Sequence, residues 1–239
     1  MKTIFKHFLL LAILATVSVS CLKSDPFICR SLVMGYISNG VMTVDGGLTF
    51  YIQKSNVEIK AKPEERVVAV CDVLETVENS NTEYKVNLIN YAVPLLKEPL
   101  MSSSVADEDE IGHDPVVPVQ HWFAGGFYNV YLSYYYLVSS ETKHEINLVY
   151  DELRSNSDTL YFTLRHNAKN EAPGYDGINI SDLAQGYSYA TFPIKEIVGE
   201  GSESVAIAIT GEWYQQNSSF SNPTTESYKY VGTYTRESE

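Results

Sequence analysis

Histidine, serine and carboxylate side chains are the first places to look for chemistry in this 239-residue chain. Of its five histidines, His113, His121, His144 and His166 lie beyond the N-terminal apolar run. No two of them have the i, i+4 spacing that sets a pair of imidazoles on one helix face for zinc, and no Cys-x-x-Cys occurs. His121, His144 and His166 fall on three successive extended runs, where convergence on one sheet is conceivable. The residues favour separate surface or strand-capping histidines, so no metal site and no cofactor are expected. Gly186-Tyr187-Ser188-Tyr189-Ala190 half-copies the Gly-x-Ser-x-Gly elbow that exposes a nucleophilic serine. An elbow must turn from strand into helix, whereas another extended stretch follows Ser188. Carboxylates are numerous enough for a pair at glycosidase spacing, about 5 to 10 Å, to arise by accident. Nothing singles out Asp151, Glu152, Glu171 or Asp176, and glycine-rich phosphate loops are absent. No catalytic residue is assigned, and the chain is expected not to be an enzyme.

Cysteine and tyrosine carry the remaining expectations. Lys2 and Lys6 open the chain, Phe8 to Val19 is nearly unbroken apolar sequence, and Ser20 precedes Cys21. That order reads as a secretory signal, 1–21, ending at a cysteine that receives lipid. The apolar run is shorter than the roughly 20 residues that span a bilayer. A polar tether, 22–26, follows. With Cys21 lipidated, Cys29 and Cys71 remain, either as a disulfide in an oxidising compartment or with Cys71 as a buried free thiol among Val67, Ala69 and Val73. Eighteen tyrosines favour pleated, half-buried surfaces and an all-β fold. Trp122, Tyr131 and Tyr135 are the candidate binding face, because aromatic rings offer a large contact area at low entropic cost. The plain alternative places Tyr128, Tyr134 and Tyr136 in the core and Tyr131 and Tyr135 outside.

The elements that must position these residues follow from alternation and turn chemistry. Five runs between Phe27 and Leu96 are punctuated by Asn39-Gly40, Asp45-Gly46-Gly47, Pro63-Glu64-Glu65 and Asn79-Ser80-Asn81. They predict a small OB-like barrel over 27–98. Residues 99–112, with three serines and Asp107-Glu108-Asp109-Glu110, read as an acidic linker. The D-x-D-x-D-G spacing of a calcium loop is missing there. Seven further strands predict an antiparallel β-sandwich over 113–239, with a helical turn only at Ser181 to Leu183.

Ile111-Gly112-His113-Asp114-Pro115, His121-Trp122, Gly125-Gly126-Phe127-Tyr128-Asn129-Val130, Lys143-His144-Glu145-Ile146-Asn147-Leu148-Val149 and Leu164-Arg165-His166-Asn167-Ala168 together resemble the second domain of NigD-like lipoproteins. Ile180-Ser181-Asp182-Leu183 resembles the short segment before that family's last strands. The resemblance implies an N-terminal OB domain and a C-terminal β-sandwich in an envelope lipoprotein of gut Gram-negative anaerobes. The family is named from a member beside a bacteriocin gene cluster, which implies a self-immunity role. It brings no catalytic or ligand-binding residues.

The formal charge of −13 becomes −15 once Lys2 and Lys6 leave with the signal. Phosphate binding needs clustered Lys and Arg, and 27–100 holds seven basic residues against nine acidic. Nucleic acid is therefore not an expected partner, and membrane attachment rests on the N-terminal lipid. Leu22, rather than an inner-membrane-retaining aspartate, follows Cys21, so an outer-membrane lipoprotein is expected. The expected function is an accessory or immunity-like factor that binds another protein, the alternative being a surface glycan-binding module using exposed Tyr and Trp.

Overall fold

The computed structural model describes residues 29–199, 204–215, 219 and 222–235. The signal, Cys21 and the tether fall outside the described residues. The chain divides into two compact units, Met1–Ala92 and Val93–Glu239.

The first unit is the expected small barrel. Strands β1 (Cys29–Ser38), β2 (Val41–Val44), β3 (Leu48–Ser55), β4 (Arg66–Thr76) and β5 (Glu83–Ala92) close in the order β1-β2-β3-β5-β4. Asn39 and Gly40 both take positive φ, so this two-residue turn matches the right-handed twist of the strands it joins, β1 and β2. At Gly35 a Cβ would stand 2.0 Å from the Thr43 carbonyl oxygen, a contact only glycine permits. Alternation delivers Ile37, Met42, Phe50, Val67, Ala69, Val86 and Leu88 to one core. Arg66 is also buried there. Its guanidinium donates through both terminal nitrogens to Asp45, beside the β2–β3 turn, and lies 5.7 Å from the Tyr36 ring. The carboxylate supplies the paired acceptors that a buried guanidinium requires.

Cys29 and Cys71 do not form the disulfide that the sequence left open. They lie on adjacent antiparallel strands, but Cys29 faces Val73 and Cys71 faces Ser31. Diagonal neighbours of this kind stand about 7–8 Å apart, beyond the Cα separation of up to about 6.8 Å that a disulfide spans. Both thiols are free, Cys29 exposed and Cys71 buried. Burial, reinforced by Asp72, pushes the Cys71 thiol up to about 11.

The second unit is a two-sheet β-sandwich. Its strands are β6 (Leu95–Leu96), β7 (Leu100–Met101), β8 (Val117–Ala124), β9 (Phe127–Leu137), β10 (Glu145–Tyr150), β11 (Thr159–Asn167), β12 (Leu183–Pro193), β13 (Val205–Tyr214) and β14 (Thr225–Tyr234). One sheet runs β14-β13-β11-β10-β7 and the other β6-β12-β9-β8. Most pairings are antiparallel; β11–β13, β10–β7 and β12–β6 are parallel. Val130, Leu132 and Phe192 from one sheet meet Leu148, Phe162, Leu164, Ile207 and Ile209 from the other. Fully burying such side chains contributes about 1.5–3 kcal/mol each.

Two expectations need correction. The stretch 99–112 is not a free linker, and the second unit begins before it. Leu95 and Leu96 pair with β12, and Leu100 and Met101 pair with β10. A four-residue helix, α1 (Glu108–Ile111), is capped by the Asp107 side chain and buries Ile111. The acidic run supplies a cap and first turn that suit the positive end of a helix dipole. Tyr136 is the second correction. It is 37 % exposed, with its ring against Gly186 at the end of the β9–β12 ladder, while Tyr128 is fully buried and Tyr134 half-buried against the core. The expected helical turn is a 3-10 turn at Ile180–Asp182.

Candidate functional site

Two of the sequence runs singled out above lie against each other. Gly112 to Pro115, just after α1, packs across the end of β11. The Asp114 amide donates to the His166 carbonyl at 2.8 Å. The Asp114 carboxylate accepts from the Ala168 amide at 2.6 Å and from the Tyr175 hydroxyl at 2.8 Å. Asn167 donates through Nδ2 to the Glu110 carbonyl at 2.9 Å, and Arg165 meets both Glu108 and His113. Gly112 lets this approach happen: a Cβ there would stand 2.4 Å from the His166 carbonyl oxygen and 2.6 Å from Asn167 Cα.

Beside the 112–115 segment lies a histidine pair. His166 Nδ1 is 3.2 Å from the Pro115 carbonyl oxygen, and His166 Nε2 is 3.0 Å from His144 Nδ1. The Tyr134 ring packs on both imidazoles. His144 Nε2, buried and without a hydrogen-bond partner, is 3.8 Å from Glu171 Oε2. Burial, with His144 alongside, drives the His166 pKa down to about 4. Burial also lowers that of His144, against the pull of Glu171 and Asp114. Tyr175 is raised to about 12 by burial and by its hydrogen bond to Asp114.

The Ser140 hydroxyl donates to the Glu171 carboxylate at 2.6 Å rather than to an imidazole. Ser188 lies inside β12, which continues extended to Pro193, so no elbow forms. A polar hollow of about 100 Å³ beside the 112–115 segment is lined by His113, Thr163, Arg165, Thr210, Glu212 and Ser227. Among the described residues no three His, Cys, Asp or Glu side chains are grouped to hold a metal ion. His121 packs on Tyr128 and Tyr230 instead of joining the pair.

The candidate aromatic face lies on the outer side of the four-stranded sheet. Tyr131 of β9 stands directly opposite Tyr189 of β12, their rings stacked at 4.5 Å and 28°. Tyr131 also stacks on Tyr187 at 5.6 Å and 22°, and Tyr187 is 53 % exposed. Tyr135 packs edge-on against Tyr214 at 5.8 Å. Trp122 is half-buried on β8 opposite Asn129, on the same side of the sheet as Tyr131. Sequence reasoning found Tyr131 but missed Tyr187 and Tyr189. Their two-residue spacing was visible, but the register that sets them beside Tyr131 was not.

Solved structures share this architecture. A protein of unknown function from Bacteroides vulgatus ATCC 8482 superposes with a TM-score of 0.63 at 19 % identity, covering 86 % of this chain and 91 % of its own. A NigD-like immunity protein from Bacteroides caccae ATCC 43185 gives 0.58 at 16 % identity, covering 87 % and 99 %. A candidate lipoprotein from Bacteroides fragilis NCTC 9343 gives 0.54 at 13 % identity, covering 84 % and 97 %. At these identities the likeness is one of fold. No curated protein matches the sequence. The NigD-like C-terminal beta sandwich domain matches residues 98–222, more than half of the chain, and on that match the protein belongs to the NigD-like family.

Proposed function

We propose that this protein is a lipid-anchored, non-catalytic accessory factor of the outer membrane, of the immunity type, and that it acts by binding another protein. The tyrosine row carries the reading. Tyr187, Tyr131 and Tyr189 place three amphipathic rings on one sheet face, anchors of the kind that dominate protein interfaces. Tyr131 already stacks on two neighbours, so its ring is not free to lie flat on a sugar. That favours a protein partner over a glycan. The Lys2-to-Cys21 pattern supports the anchor, and the likeness to a NigD-like immunity protein and a candidate lipoprotein supports the accessory role. Cross-linking on intact cells followed by mass spectrometry tests the reading, alongside isothermal titration with host and dietary polysaccharides. A reproducible protein adduct supports it. Tight saccharide binding without a protein adduct overturns it.

A further inference from the structure

With both rings neutral, the buried histidines admit one arrangement of protons. A carbonyl oxygen only accepts, so His166 Nδ1, 3.2 Å from the Pro115 oxygen, must carry hydrogen. In the neutral ring Nε2 is then a bare lone pair, and His144 Nδ1–H must fill it across 3.0 Å. A neutral His144 is left with its own lone pair at Nε2, buried, unpartnered, and 3.8 Å from a Glu171 oxygen. A lone pair facing a carboxylate is repulsive, and a proton placed there turns the contact into an ion pair. The next proton has only His166 Nε2 to bind, and two N–H groups would then face each other across 3.0 Å. That second proton has to separate the rings.

We propose that the His144–His166 pair is a two-step proton-sensing latch: the first proton, on His144 Nε2, tightens its contact with Glu171, and the second, on His166 Nε2, releases the 112–115 segment from β11. Release is carried by the repulsion between two charged, buried rings, which has to overcome the pull that Asp114 and the Pro115 carbonyl exert on a charged His166. His166 holds that segment twice, through Nδ1 to the Pro115 carbonyl and through its own carbonyl to the Asp114 amide. The charged and titratable groups around the pair come from every side. Glu171 faces His144 from the loop after β11, and Asp114, bound to Tyr175, acts on both imidazoles from the segment after α1. Tyr134 covers both rings from β9. Lys169 is engaged with Glu145 at 2.8 Å, and Arg165 with Glu108 and His113. Burial dominates both histidines, and His166, the deeper of the two, resists protonation down to about pH 4.

The test is a pH titration of the full chain labelled with nitrogen-15 histidine, read by long-range proton–nitrogen correlation, with amide exchange followed on the same samples. At neutral pH both His144 and His166 should appear as the Nδ1–H tautomer, the minor form of free imidazole. On acidification His144 Nε2 should protonate first, with Ala168 and Asp114 amides still protected. Their exchange should accelerate on the order of tenfold or more only as His166 titrates. Glu171→Gln, which keeps a hydrogen-bonding side chain beside Ser140, should move the first step to lower pH and leave the order unchanged. An Nε2–H tautomer on either ring at neutral pH overturns the proposal. So does joint titration of both rings near 6.5, or amides that stay protected after His166 is charged.

Discussion

Gly112→Ala is the perturbation that isolates the contact between the two signature runs. Gly112 has φ 74° and ψ 166°, a region essentially reserved for glycine, where an alanine costs of order 1–3 kcal/mol in backbone strain. Gly199 offers the matching control in the same unit. It follows the four-residue helix α2 (Lys195–Val198) with φ 70° and ψ 178°, and a Cβ there meets nothing described within 4 Å. Strain is therefore common to both variants. Only at Gly112 does the new methyl enter the His166 carbonyl and Asn167 Cα, backbone atoms that cannot swivel away. The segment must lift, losing the Asp114–His166 bond and the charge-assisted Ala168–Asp114 bond, together about 2–4 kcal/mol. Gly199→Ala should thus cost roughly 1–3 kcal/mol and Gly112→Ala about 2–4 kcal/mol more. Urea unfolding followed by tryptophan fluorescence reads this unit alone, because both tryptophans, Trp122 and Trp213, belong to it. Equal costs for the two variants would refute the close approach at Gly112.

The same fluorescence assay carries a pH prediction. His166 binds its proton less readily folded than unfolded, its pKa falling from 6.5 to about 4. Its contribution is complete above pH 6.5, declines as pH falls toward 4 and amounts to about 3 kcal/mol; a flat difference between wild type and His166→Asn across that window would contradict it. In the barrel, Asp45→Asn removes the carboxylate that accepts from both terminal nitrogens of the buried Arg66 guanidinium and should destabilise by about 3–5 kcal/mol, read as faster amide exchange in β4; unchanged exchange would contradict a stabilising role for the pair. A thiol reagent should label Cys29 in the folded chain and reach Cys71 only on unfolding, since Cys71 is buried with its thiol raised to about 11. Loss of Cys29 labelling in oxidised protein, restored by reductant, would revive the disulfide.

The barrel was readable because its strands alternate on one face and its turns carry their own chemistry; Asn39-Gly40 encodes positive φ without help from tertiary structure. The segment 99–112 was misread because its order comes from elsewhere. Leu100 and Met101 gain a partner only when β10 arrives, and four consecutive acidic residues hide a helix whose single buried side chain is Ile111. The histidine pair and the tyrosine row were lost for one reason. His144 and His166 are 22 positions apart, Tyr131 and Tyr189 are 58, and only strand register decides which of many alternating residues touch. Tyr136 shows the limit of alternation itself: its parity assigns it inward, but the core ends before it does.

The central claim, a protein partner on the tyrosine face, is tested most directly by placing a photoreactive residue at position 187 in living cells and, separately, at position 231. Val231 is more exposed than Tyr187 but lies on β14, at the far edge of the other sheet. A discrete protein adduct from 187 and none from 231 is the predicted result. Adducts of equal yield from both positions, or carbohydrate alone from 187, would contradict it.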